Sequence, residues 1–203
     1  MKKFDTLDEF LDQSWRLLLN AAVKRNHPMR TPVLGTVADN RAHLRTVILR
    51  QTDPQARTLS FYSDFRAAKI AHLQENEQLA ALFYHPRKQW QIRVRGEATL
   101  HHQDEKARAH WAKISVKGRA NYAARHTPGS TTDQPTDGLP DFWNSDLKPA
   151  ETEFAYANFT LIEMAAFELE ALLLYEFRRA GAWARPSRAP RRSPSRWCCC
   201  SRP

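Results

Sequence analysis

Cysteine is missing from all but the end of this 203-residue chain: Cys198, Cys199 and Cys200 are consecutive, and there are no others. Adjacent cysteines make neither a disulfide framework nor a zinc site with ligand spacing, so thiolate catalysis and thiolate metal binding are excluded from the body. Glycine is scarce, six residues in all, which leaves no Gly-rich phosphate loop. Walker-loop, catalytic-triad and His-x-Glu-x-x-His patterns are also absent. No run of about 18 apolar residues exists to span a bilayer. The opening MKKFDTLDEF has acids close behind its lysines and no apolar stretch of a secretory leader. The expectation is a cytoplasmic protein with no metal site.

What is present is an ordinary globular composition, 42% hydrophobic and 26% charged, which excludes a wholly disordered chain. The net charge of +9 would suggest nucleic acid, but Arg185, Arg188, Arg191, Arg192, Arg196 and Arg202 lie beyond residue 180, where there is no acid. Without these six the body carries 25 basic against 22 acidic residues, a net +3, which makes a nucleic-acid partner a poor reading. Residues 180–203 have no periodicity and are dominated by Arg, Pro, Ser and Cys. They read either as a disordered basic tail or as out-of-frame translation of a GC-rich gene. The domain expected to fold is 1–179.

Thr6-Leu7-Asp8-Glu9 has capping-box form, and Leu7, Phe10, Leu11, Trp15, Leu18, Leu19 and Ala22 follow at helical spacing, predicting an amphipathic helix over 6–24. From Thr31 to Leu100 the period shifts toward two. TPVLGTVA and HLRTVILR, joined at Asp39-Asn40, predict a hairpin. TLSFYS, LAALFYH and QWQIRVRGEATLH predict three more strands, with a short helix in FRAAKIAHLQEN. Residues 103–125 are helical, with Ala107, His110, Trp111, Ile114 and Tyr122 turned inward. Residues 126–149 form a long Pro/Gly/Thr/Asp loop, and the chain returns to strand at 158–177. Strands joined by close turns exclude a doubly wound parallel sheet and predict a mainly β protein with flanking helices, an antiparallel barrel whose closure removes its edges.

Basic residues cluster in the strand–helix region. By strand alternation Arg45 and Arg50 face opposite sides of HLRTVILR. Arg66 and Lys69, three apart, share a face at the positive end of the short helix, with Ser63 in the capping region. Ser63, Arg66 and Lys69 make a phosphate cradle; the alternative is a solvated helix face with surface ion pairs.

The order RTVILR (45–50), FYSDFRAAK (61–69), Leu73 to Asn76, AALFY (80–84) and WQIRVRGEA (90–98) resembles the pyridoxamine 5′-phosphate oxidase-like family of FMN-binding split barrels, in particular its oxidase-related FMN-binding members. The resemblance covers residues 30–100; WAKISVKGRANY, PGS and the 158–177 strands fit more loosely. It implies an FMN-binding split barrel in which Arg45, Thr46, Val47, Ile48, Leu49 and Arg50 line the flavin, Arg45 lying near the phosphate. It further implies Tyr62 and Ser63 beside the ribityl phosphate, Lys69 and Arg66 on the phosphate, and Gln91 on the ring. Val47 and Leu49 would supply the apolar wall that a flavin needs. Members of the family are homodimers with FMN at the subunit interface, and Trp90, Trp111 and Trp143 suit either a core or such an interface.

The departures matter. The Arg-x-His substrate motif of the true oxidases has no counterpart after His126. Leu172 stands near the position of a flavin-contacting tryptophan, and Arg50 stands where those oxidases have lysine. The segment His110–Lys117 lacks their Tyr…Arg…Ser set. Oxidation of pyridoxamine phosphate is therefore disfavoured. The reading is an FMN-dependent oxidoreductase of unspecified substrate, with hydride transfer at the flavin N5. The alternatives are a non-catalytic flavin-binding or sensing module and a nucleic-acid-binding barrel. No general base stands out beyond His85 and His110.

Overall fold

The computed structural model describes residues 4–144 and 146–174, together with the backbone of 183–186 and 197–200. Those last two segments pair as short antiparallel strands; the other expectations for the 180–203 tail lie outside the described residues.

Thr6 caps the first helix, α1 (Leu7–Val23), its side-chain oxygen accepting from the Glu9 amide. Glu9 reaches back to the Asp5 amide rather than to that of Thr6, so the reciprocal bond is displaced by one residue. The apolar stripe buries Phe10, Leu11, Trp15, Leu18 and Ala22, with Leu17 in place of the outward-turned Leu19. This face packs on the sheet, where Phe10 stacks on Trp90 with ring centroids 4.8 Å apart.

The sheet comprises β1 (Val33–Ala38), β2 (Arg41–Thr46), β3 (Leu49–Asp53), β4 (Thr58–Asp64), β5 (Gln78–His85), β6 (Trp90–His101) and β7 (Phe159–Leu173). Helices α2 (Ala68–Glu75), α3 (Glu105–Trp111) and α4 (Val116–Ala123) flank it. All seven strands join antiparallel in the order β2-β1-β5-β6-β7-β4-β3. Asp39 and Asn40 turn the first hairpin with φ of 50° and 56°, the left-handed pair that a two-residue hairpin needs.

HLRTVILR is not one strand. It breaks at Val47–Ile48, so β2 and β3 stand at opposite edges of the sheet. Thr46 and Leu49 can lie no more than about 11 Å apart along the chain, whereas seven strands laid flat would separate their edges by about 29 Å. The sheet must therefore curl until its edges meet at this link. No β2–β3 ladder forms among the described residues, so the barrel is split there rather than closed. Leu34 of β1 and Leu49 of β3 both fill the interior.

Inside are Leu18, Leu34, Leu59, Phe61, Phe83, Ile92, Val94, Ile162 and Met164. A second cluster, Trp111, Tyr122, Ala155, Phe159 and Leu161, packs α3 and α4 on the start of β7. It explains why Phe159 through Ile162 are all buried rather than alternating: central between β6 and β4, β7 is covered there on both faces. Trp90 and Trp111 are core residues, and Trp143 packs beside the second cluster. Among the described residues, no helix is long and apolar enough to cross a membrane.

The β6–β7 ladder slips between Arg95 and Gly96. A Cβ at Gly96 would lie 2.4 Å from the Ala165 carbonyl oxygen and 2.8 Å from Met164 Cγ. Because the obstacle includes backbone, Gly96→Ala is expected to destabilise by about 1–3 kcal/mol, read as a melting temperature lower by several degrees in thermal unfolding.

Candidate functional site

The basic residues of the strand–helix region divide into two groups, one on each side of β4. Tyr62 and Ser63 are consecutive on that strand, so their side chains leave opposite faces.

On the Ser63 side, Lys69 Nζ donates to Ser63 Oγ at 3.0 Å, and Ser63 donates to the Asp64 carbonyl at 3.0 Å. Arg45 reaches in from β2 and donates through Nη1 to Thr36 Oγ1 at 2.8 Å. Thr36 Oγ1 also shares a 3.0 Å hydrogen bond with His72 Nδ1. Burial lowers the pKa of Lys69 and that of Arg45, and the Arg45 charge lowers Lys69 further, only partly offset by Asp64. Burial, with His43 and Arg45 nearby, likewise holds His72 below the usual histidine range. This is a desolvated pair of cations, and the one carboxylate beside it is already engaged.

That carboxylate is held by Arg66, which corrects the expectation for this residue. Arg66 Nε and Nη2 clasp Asp64 Oδ1 and Oδ2 at 3.0 and 2.7 Å, and Nη2 also donates to the Ala124 carbonyl at 2.9 Å. It precedes α2, whose N-cap is Ala67 without a side-chain cap bond, so Arg66 and Lys69 do not share a helix face and Ser63 is not in the cap. Arg66 ties β4 to the end of α4, and the cradle consists of Arg45, Lys69 and Ser63.

On the Tyr62 side lies a cleft of about 750 Å³ whose lining includes Arg30, Arg50, Tyr62 and His110. Arg50 sits where the β3–β4 register shifts between Leu49 and Gln51. Such a bulge re-aims a side chain, and the guanidinium lies over the Tyr62 ring, 4.8 Å from its centroid. Arg45 and Arg50 do face different sides, but through the break and the bulge rather than by alternation along one strand. Tyr62 Oη and His110 Nδ1 are 3.0 Å apart. Burial raises the Tyr62 pKa against the opposing Arg50 charge; burial, then Lys113 and Lys106, lowers that of His110.

The remaining predicted residues are spread out. Thr46 is exposed at the end of β2, Val47 is half-buried, and Ile48 is exposed. Leu49 is fully buried in the core, so it offers no wall to a ligand; a strand break within RTVILR reverses its side. Gln91 pairs with Tyr84 and Leu172, whereas Ser63 pairs with Thr160, so Gln91 occupies the opposite end of β7 from the cradle. It shares an outer face with Tyr84 and Leu82, and this face continues over β1 and β2 to Val37 and Leu44, all four apolar side chains being exposed. His85 is no acid–base candidate: its Nδ1 accepts from the Lys88 amide and its ring packs on that of His27. Arg25, Arg30, Lys113 and Lys117 in the cleft escaped sequence reasoning, since no local pattern links residues 25–30 to 113–117.

A seven-stranded antiparallel sheet, curled and split at one seam with a cationic cradle beside it, defines a split-barrel protein. Residues 12–102 match the family model "Pyridoxamine 5′-phosphate oxidase, FMN-binding domain", a stretch that contains the whole cradle. Among solved structures, a pyridoxamine 5′-phosphate oxidase-related, FMN-binding protein from Nostoc punctiforme is similar, with TM-score 0.71, 18% identity and 100% of both chains covered. PhzG from Burkholderia lata, solved in complex with tetrahydrophenazine-1-carboxylic acid, has TM-score 0.69 and 16% identity over 99% of this chain and 98% of its own. No curated protein matches the chain in sequence.

Proposed function

We propose that this chain binds FMN and acts as a flavin-dependent oxidoreductase. The observation that carries the reading is the Lys69–Arg45 pair, two desolvated cations beside the Ser63 hydroxyl. A dianionic phosphate accepting from both replaces their lost hydration with charge-assisted hydrogen bonds, so these residues fit the phosphate of FMN. When bound, FMN supplies two-electron chemistry at its ring, including hydride transfer. Arg45 and Lys69 bind, and Thr36 orients Arg45. The apolar side chains inside the barrel exclude water from beneath the cradle. His110 holds its Nδ1 against Tyr62 Oη, and its Nε2, which has no hydrogen-bond partner among the described residues, is left to exchange a proton with a ligand.

We further propose a homodimer. Gln91 lies on the exposed apolar outer face with Leu44, Val37, Leu82 and Tyr84, far along β7 from the cradle of its own chain. A second copy covering this face would both bury it and bring a Gln91 to the flavin.

The test is a visible spectrum after FMN is added to the purified protein and the mixture desalted. Retained flavin that is then reduced by NAD(P)H or a small amine is the expected result. Retention without reduction by any donor would favour a non-catalytic flavin-binding module, and no retention by the folded protein would sink the reading.

A further inference from the structure

Helix α2 presents Lys69 and His72 three residues apart, as neighbours on one stretch of its surface. Lys69 meets Ser63 on β4, and His72 meets Thr36 on β1. The strands supply the other half of the contact. Thr36 stands directly opposite His43 across the β1–β2 pair. Arg45, two residues beyond His43 and on the same side of β2, extends Nη1 to Thr36 Oγ1 at 2.8 Å. The His43 ring packs on that of His72 with centroids 4.5 Å apart. One hydroxyl therefore joins a cation of the cradle to an imidazole on the helix that carries the other cation.

The single proton of this hydroxyl sets the direction of the bonds. Thr36 is 2% exposed, too buried to turn its proton to water, and a buried donor left unmade is costly. Its side-chain bonds among the described residues are those to Arg45 and His72. A guanidinium has donors only, so Thr36 Oγ1 accepts from Arg45. The partner left for the Thr36 proton is His72 Nδ1 at 3.0 Å, a ring nitrogen that accepts only while it carries no proton itself. The surroundings favour that state: burial, His43 and Arg45 hold His72 below the usual histidine range, with Glu75 and Asp39 opposing only in part. With a proton on Nδ1, Thr36 would receive two donors and its own proton would have no acceptor.

We infer that neutral His72, its proton on Nε2, is a positioning residue of the cradle: it accepts the Thr36 proton, turns the Thr36 lone pairs toward Arg45 and so holds that guanidinium in place for a phosphate. The bonds run one way, from Arg45 to Thr36 to His72, and in such a chain each link polarises and strengthens the next. His72 acts through Thr36 and Arg45 rather than on a ligand. The effect on phosphate affinity rests on the flavoprotein reading; the direction of the chain does not.

Ring-nitrogen NMR of the full-length protein without flavin, at about pH 7.5 and so above the ordinary histidine value, reads the tautomer, with His72→Asn identifying the signal. An unprotonated, pyridine-type Nδ1 is expected at His72; a protonated, pyrrole-type Nδ1 would overturn the proposal. FMN and riboflavin are then titrated by fluorescence. His72→Ala should weaken FMN binding by about fivefold to tenfold, the worth of one hydrogen bond, and leave riboflavin binding unchanged, which shows that the fold is intact. His72→Asn, whose amide oxygen accepts where Nδ1 does, should recover FMN affinity to within about twofold of wild type. In a Thr36→Val background, His72→Ala should cost less than about twofold more, because both residues act through one hydroxyl. Where Arg45→Ala/Lys69→Ala loses FMN, three results would each overturn the positioning role: full FMN affinity in His72→Ala, additive losses with Thr36→Val, or no recovery in His72→Asn. If Arg45→Ala/Lys69→Ala keeps FMN, the flavin-phosphate reading falls instead, and the ring-nitrogen spectrum still decides the direction of the chain.

Discussion

Arg45→Ala/Lys69→Ala is expected to weaken FMN binding by about a hundredfold to ten-thousandfold, two charge-assisted hydrogen bonds being worth about 3–6 kcal/mol together. Riboflavin, which has the ring but no phosphate, should bind the wild type and the double variant equally. Fluorescence titration with both ligands separates a lost phosphate cradle from a damaged fold. Thr36→Val should give a smaller loss of the same kind, because Arg45 is aimed by its bond to Thr36 Oγ1. The pH dependence follows from the direction of the Lys69 shift. Burial and Arg45 hold this lysine below its ordinary value, and a bound dianion raises it again. FMN affinity is therefore full below the depressed value and falls as pH rises through it. Lys69→Arg keeps its charge, so that fall should move to higher pH; an unmoved limb would show that another group is responsible.

The second large effect is expected at Trp111. Its indole is fully buried and donates from Nε1 to Glu153 Oε2 at 3.0 Å. The Arg119 guanidinium lies over its ring at 4.5 Å, and the rings of Tyr122, Tyr156 and Phe159 pack around it. Arg119 is itself buried and spans from the Ile114 carbonyl to the Pro149 carbonyl and Thr152. Trp111→Ala therefore opens a cavity and loosens a buried cation at once. It should cost about 3–5 kcal/mol, or roughly 6–20 °C in melting temperature for a domain of this size, read by denaturant and thermal unfolding. Trp111→Phe, which loses the Glu153 bond but keeps most of the volume, should cost less than half as much. Because α3 and α4 carry His110 and Lys117, hydrogen exchange in Trp111→Ala should rise over 105–123 before it rises in β5 and β6. Uniform exchange across the sheet would mean that the second cluster does not form a separate cooperative layer.

The cradle and the cleft lie on opposite sides of β4. The part-buried Lys69–Ser63 contact suits a held phosphate. Arg50 and Tyr62 form the wall between cradle and cleft, and the cation–π contact holds the guanidinium on the cleft side.

Several features of this arrangement were legible from residue order alone. The caps and stripe of α1, the Asp39-Asn40 turn, the strands flanking α2 and the inward positions of α3 and α4 all arise from local chemistry: capping oxygens, left-handed turn residues and apolar periodicity. Lys69 and Ser63 were likewise close enough in sequence for their meeting to be anticipated. Other features were decided only when the sheet curled. RTVILR reads as one strand because no Gly, Pro or turn residue interrupts it, yet the curl of the barrel sends its two halves to opposite edges. That buries Leu49, and a bulge then turns Arg50 to the cleft. Arg66 carries the same charge whether it holds a phosphate or Asp64, and only the approach of the Ala124 carbonyl at the end of α4 committed it to the latter. Gln91 sits in a motif that places it on β6, but the length of β7 sets it apart from the cradle. The cleft is the extreme case, since residues about ninety apart in the chain come together there only through packing on α1, β3 and the second cluster. Local pattern specifies the elements and the face each residue takes within its own element. Which charges finally confront one another depends on contacts between segments distant in sequence, and no local periodicity records those.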